Sequence, residues 1–81
     1  DAEEGAKANY LLGYALYNQK KYQEALTALK KVQGSSISKD VESDAFVRIG
    51  DCLSQTGQSH DASIAYRKAD ETREGGNEEA L

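Results

Sequence analysis

His60-Asp61 is the neighbouring pair best equipped for acid–base work or metal ligation, and Cys52 is the only thiol. Neither is well placed to act. If the pair opens a helix, successive side chains point about 100° apart and do not converge on one atom. A metal centre needs three or four ligands, and this chain holds one His and one Cys in separate segments. The better reading is a solvated helix N-terminus, where the Asp61 charge suits the positive end of the dipole. A reactive thiol requires an electropositive, partly exposed setting. Cys52 lies between Asp51 and Leu53, with Arg48 one turn earlier, and reads as a small, inert, partly buried thiol. Asp70, Glu71, Glu74, Glu78 and Glu79 run across Gly75-Gly76 without the ordered alternation of a calcium loop, and read as a solvated tail. No phosphate-binding glycine loop, nucleophile elbow or zinc spacing appears. No catalytic, cofactor-binding or metal-binding residue is therefore assigned, and the chain reads as a non-enzyme.

The totals set the frame for any elements that position these groups. With 81 residues, one small domain is expected, burying only about 60–65% of its unfolded surface. The net charge is −4, from 14 acidic and 10 basic residues. Its one basic cluster is Lys20, Lys21, Lys30 and Lys31, so a nucleic-acid partner, which calls for an excess of Lys and Arg, is excluded. No apolar run approaches the roughly 18–20 residues that span a bilayer, so direct membrane insertion is not expected. No signal segment is present, and a chain that begins at Asp1 reads as a piece of a longer one. A lone Cys cannot staple the core and fits a reducing cytosol or a bacterial periplasm equally.

Proline is absent, so glycine punctuates the chain at Gly34, Gly57 and Gly75-Gly76. Between these points apolar residues recur at helical spacing. They are Ala8, Leu12, Ala15 and Leu16; Tyr22, Ala25, Leu26, Leu29 and Val32; Ala45, Phe46, Ile49 and Leu53; and Ala62, Ala65, Tyr66 and Ala69. The pattern predicts helices at roughly 2–18, 22–33, 40–56 and 60–74. Asn18 to Lys21 forms the first turn, and Gly34 and Gly57 act as left-handed terminators. Ser38 or Asp40 caps the third helix, and Ser59 caps the fourth.

Sliding the chain by 37 positions superposes Leu12-Gly13 on Ile49-Gly50, Leu16 on Leu53 and Ala25 on Ala62. It also superposes Leu29 on Tyr66, Lys31 on Lys68 and Val32 on Ala69. Self-similarity of this kind marks a helix pair that buries its apolar face against a copy of itself. Glycine inside a helix costs about 0.8–1 kcal/mol relative to Ala, so Gly13 and Gly50 imply close packing, with small Ala25 and Ala62 opposite them.

These residues resemble a tetratricopeptide repeat. The first unit offers Leu12, Gly13, Leu16, Ala25, Leu29 and Val32, within YLLGYALYNQKKYQEALTALKKV; the second offers Ile49, Gly50, Leu53, Ala62, Tyr66 and Ala69, within RIGDCLSQTGQSHDASIAYRKA. Ile37 and Glu74 stand where the family usually closes a repeat with Pro. The 37-residue spacing exceeds the family's 34, lengthening the connection QGSSISKDVESD as in bacterial envelope members. The resemblance implies an all-α, α-α superhelix: a solenoid of two helix-turn-helix repeats, about 6–39 and 43–76, in a single domain over 1–81. Residues 77–81 would open a further repeat or form a short C-terminal capping helix. Two repeats are few for independent stability, which predicts either further repeats or self-association into a homo-oligomer.

The resemblance also implies that the first helix of each pair lines a concave groove. Tyr10, Tyr14 and Tyr17 form a stripe on the first helix, extended by Lys7 and Asn18. Asp44, Val47, Arg48, Asp51, Ser54 and Gln55 face the groove from the third. Tyr10 and Tyr14 occupy positions where clamps for acidic chaperone tails carry Lys and Asn, so such a clamp is disfavoured. The function expected is a non-catalytic scaffold binding a protein or peptide segment on this face, without cofactor. The alternative is a set of structural spacer repeats in a longer envelope solenoid, contacting only neighbouring repeats or copies. In that case some of the tyrosines pack against a preceding repeat.

Overall fold

A computed structural model describes residues 2–32 and 38–80, without the side chains of residues 2–4 and 75–80. The described residues form four helices: α1 (Ala2–Asn18), α2 (Tyr22–Lys30), α3 (Lys39–Gln55) and α4 (Ser59–Ala80). α1 packs on α2 and α3 on α4, and α2 joins the two pairs by lying against α3. The predicted terminator Gly34, and Ile37 in the place of the closing Pro, fall outside the described residues.

The core is built where the pairs meet. Ala25, Leu26, Leu29 and Val32 from the α2 side interlock with Ala45, Phe46, Ile49 and Cys52 of α3 and with Ala65 and Ala69 of α4. Ser43 ties α3 to α4: its buried hydroxyl donates to the Ala69 carbonyl at 2.9 Å and accepts from Arg73 at 3.2 Å. α3 starts at Ser38, whose Oγ accepts from the Val41 amide at 3.3 Å.

The 37-residue register holds at the turns as well as in the core. Gly57 ends α3 with φ +79°, and the Gln58 amide reaches back to the Leu53 carbonyl at 2.8 Å. One repeat earlier, Lys20 has φ +64°, and the Lys21 amide reaches the Leu16 carbonyl at 2.9 Å. The first turn thus asks a lysine to adopt the conformation glycine takes in the second.

Four sequence expectations need correction. Gly13 is not faced mainly by a small residue. A Cβ there would lie 2.5–2.6 Å from Leu29 side-chain atoms, with the Ala25 carbonyl oxygen 3.5 Å away. At Gly50 the atoms closest to an added Cβ, at 2.6–2.9 Å, belong to the Tyr66 ring. Each glycine is a socket for a large side chain of the partner helix. The second correction concerns α1: Ala8, Leu12 and Ala15 are exposed, and α1 turns Ala6 and Gly13 inward instead. Third, α4 runs through Gly75-Gly76 to Ala80 without the expected break near 74, because glycine at helical φ costs only about 1 kcal/mol and no proline enforces a stop. Fourth, Ser59 is the first residue of α4 rather than its cap, and the Ala62 amide bonds the Gln58 carbonyl.

Candidate functional site

α1 and α3 lie side by side, and the three tyrosines of α1 meet charged residues of α3. Tyr10, Tyr14 and Tyr17 share one side of α1 because positions four and seven apart nearly eclipse on a helix. Asp44, Arg48 and Asp51, at the same spacing on α3, form the facing row. The Tyr10 hydroxyl donates to Asp44 Oδ2. Arg48 sits between both acids: Nη1 donates to Asp51 Oδ2 at 3.3 Å, and Nε lies 3.7 Å from Asp44 Oδ2. The second distance is an ion pair but too long for a hydrogen bond. Thus held, the Arg48 guanidinium lies 4.8 Å from the centre of the Tyr14 ring and 5.9 Å from that of Tyr17. Both distances fall within cation–π range.

Tyr14 meets Tyr10 edge-on, with ring centroids 6.3 Å apart, and Tyr17 meets Tyr22 of α2 in the same way at 5.8 Å. These tyrosines differ in what they can offer. Tyr10 and Tyr17 are half-buried against the core, whereas Tyr14 remains 38% exposed.

The protonation states follow from this packing. Burial, then the bond to Asp44, pushes the Tyr10 hydroxyl from 10.0 up to about 12. For Arg48, burial opposes the charge, but Asp44, Tyr14 and Asp51 outweigh it and the pKa is raised. The guanidinium is a permanent cation bracketed by two carboxylates, a trio whose net charge is negative.

The remaining sequence candidates are placed differently. Lys7 and Asn18 are exposed towards the two ends of the stripe, and Ser54 and Gln55 are exposed near the end of α3; none takes part in the cluster's bonds. Val47 is half-buried against the core. Cys52 is fully buried on the core side of α3, and burial, then Asp51, pushes its thiol from 9.0 up to about 11. His60 is exposed, and its carbonyl accepts from the Ser63 hydroxyl at 2.7 Å.

Tyr66 of α4 is the member that sequence reasoning had assigned to the core. Its hydroxyl donates to Asp51 Oδ1 at 2.6 Å, and its ring lies across Gly50. That bond, then burial, pushes its hydroxyl to about 12. The signal was available in the register: Tyr66 replaces Leu29, and a tyrosine in a leucine's place carries a hydroxyl that needs a polar partner. Asp51 therefore bonds Tyr66 and Arg48 at once, linking α4 to the α1–α3 face.

Residues 7–35 and residues 43–74 each match the tetratricopeptide repeat family. Together they span most of the chain, and the protein belongs to that family. It is an all-α helical-repeat protein, and its family generally mediates protein–protein interaction or scaffolding without catalysis. Beyond the repeat itself, no curated protein and no solved structure shows significant similarity to the chain. Among the described residues no helix is long and apolar enough to cross a membrane.

Proposed function

We propose that this protein is a non-catalytic interaction module that holds a protein or peptide segment along the concave α1–α3 face. The observation that carries the reading is the exposed Tyr14 ring, backed by an Arg48 guanidinium whose position two carboxylates fix. An amphipathic ring held in advance loses little conformational freedom on binding, which is what makes tyrosine effective at recognition surfaces. The charges of the face are already paired among themselves, with one carboxylate in excess. It therefore suits a segment with apolar side chains and a Lys or Arg, and it disfavours an acidic chain end.

The test is a displayed library of linear peptides selected on the intact protein and re-assayed on Tyr14→Ala. Tyr14 is a cleaner probe than Tyr17, whose ring also supports Tyr22 and the core. Selected peptides should lose at least tenfold in affinity on Tyr14→Ala while the variant keeps its helical circular dichroism. Peptides that bind both proteins equally would refute the assignment of this face.

A further inference from the structure

The two carboxylates that bracket Arg48 are not equivalent. Asp51 uses both of its oxygens within the protein: Oδ1 accepts from the Tyr66 hydroxyl at 2.6 Å, and Oδ2 accepts from Arg48 Nη1 at 3.3 Å. Asp44 uses one. Its Oδ2 takes both the Tyr10 hydroxyl and the ion pair to Arg48 Nε, and its Oδ1 accepts from no described residue. The Asp44 side chain is also the more open of the two, 35% exposed against 26% for Asp51.

The fold does not close off that oxygen. Among the described residues the one buried side-chain polar atom without a partner is Arg48 Nε, so Asp44 Oδ1 is in contact with solvent. Arg48 is the one cation within ion-pair range of Asp44 among the described residues, and Asp51 shares its charge. A carboxylate with one oxygen engaged and the other wet keeps an acceptor site for a donor from outside. Because Arg48 also lies against the Tyr14 ring, Asp44 and the exposed Tyr14 are neighbours on the same face.

Resting on the reading of this face as a peptide site, we propose that Asp44 Oδ1 seats a lysine ammonium of the bound segment, one or two residues from the side chain that meets Tyr14. An extended chain advances about 3.3 Å per residue, which suits two neighbouring groups on one face. The donor set selects lysine. A guanidinium fork forms its bidentate bond with two acceptor oxygens, and Asp44 has one to offer. An ammonium is a compact point donor that one oxygen satisfies. A divalent metal is not the occupant, since no group of three or more His, Cys, Asp or Glu ligands converges among the described residues. Asp51 takes no part, because Tyr66 and Arg48 already occupy it. The Tyr66 hydroxyl thus sets the number of cation seats: it withdraws one of two otherwise similar acids and leaves one.

The probes are the peptides selected on the intact protein whose affinity depends on Tyr14. Each lysine in them is replaced by norleucine, which keeps the aliphatic stem and drops the charge. Affinities are read by fluorescence anisotropy on wild type, Asp44→Asn and Asp51→Asn. One lysine per peptide should lose about three- to tenfold on wild type when replaced. On Asp44→Asn the same replacement should change affinity by less than about twofold, and on Asp51→Asn the loss should persist. Each comparison sets two peptides against one protein, so a general loosening of the face by either variant cancels. On wild type, the side-chain carboxyl carbon resonance of Asp44 should move with the lysine peptide and not with its norleucine form, while that of Asp51 stays; this arm serves if a variant unfolds. Tyr14-dependent peptides that carry no lysine, or whose lysine loss survives Asp44→Asn or vanishes on Asp51→Asn, overturn this inference and leave the Tyr14 reading standing. Peptides indifferent to Tyr14→Ala overturn both.

Discussion

Adding one methyl group at each of three helical glycines tests the packing account, because the structure assigns each a different outcome. At Gly13 a Cβ would stand 2.5 Å from Leu29 Cγ and 2.6 Å from Cδ2, and Leu29 is fully buried with no room to withdraw. Overpacking of this kind costs about 1–3 kcal/mol, and replacing helical glycine by alanine returns about 0.8–1 kcal/mol. Gly13→Ala should therefore lose roughly 0–2 kcal/mol, centred near 1 kcal/mol. In a domain of this size 1 kcal/mol lowers Tm by about 4–8 °C. At Gly50 the obstacle is the Tyr66 ring, which is 37% exposed and can swing outward at the expense of its bond to Asp51. Gly50→Ala should be the milder loss, and its signature is a fall in the Tyr66 pKa towards 10. At Gly5 an added Cβ meets nothing within 4 Å, so Gly5→Ala should gain up to about 0.8–1 kcal/mol, less whatever fraying at the helix end removes. Urea melts followed by circular dichroism give the order Gly5→Ala, wild type, Gly50→Ala, Gly13→Ala from most to least stable. A Gly13→Ala protein as stable as Gly5→Ala would show that Leu29 is not seated on Gly13, and the socket account of the repeat would fall with it.

Other consequences follow from single contacts. Lys20 in the left-handed region costs roughly 1–2 kcal/mol that glycine avoids, less the greater freedom glycine has when unfolded. Lys20→Gly should therefore raise stability by about 0.5–1 kcal/mol, and Gly57→Lys should lower it; an unchanged urea midpoint for both would refute the turn geometry. Ser43→Ala removes the bond to the Ala69 carbonyl and should cost about 1 kcal/mol. Combined with Arg73→Ala it should cost less than the sum of the two single changes, because they share one contact. Alkaline pH offers a further check. Tyr10, Tyr66 and Cys52 all have folded-state pKa values raised above their ordinary ones, so the folded state holds their protons longer than the unfolded chain does. Stability from these groups is complete below about pH 9 and is lost as pH rises towards 11–12. The urea midpoint should fall over that window, less steeply in Tyr10→Phe; a midpoint that rises there would contradict the sign.

The register of 37 residues made the helices, the pairing and the repeated glycines Gly13 and Gly50 legible in the sequence, because apolar periodicity and small-residue placement are local signals. Helical spacing also put the three tyrosines on one side of α1 and Asp44, Arg48 and Asp51 on one side of α3, and the two rows meet. How those residues meet was not legible. That Arg48 spans two acids, or that Tyr66 bonds Asp51, depends on how α1, α3 and α4 lie relative to one another, and helical spacing within one segment carries no such information. Lys20 illustrates a missed but available signal. The same register that aligned the core places it opposite Gly57, and a left-handed residue could have been expected there. The exposure of Leu12 was hidden for a different reason. At helical spacing an exposed leucine and a covered one leave the same mark in a sequence.

That last ambiguity defines how α1 works in this fold. A helix in the middle of a repeat array needs two apolar sides, one for its own partner and one for the pair before it, and α3 shows both satisfied. α1 meets α2 at Gly13 and α3 through its tyrosine stripe, and its Ala8, Leu12 and Ala15 are exposed. The two repeats differ at one repeat position: Ile49 is buried where α2 lies on α3, and Leu12 is exposed.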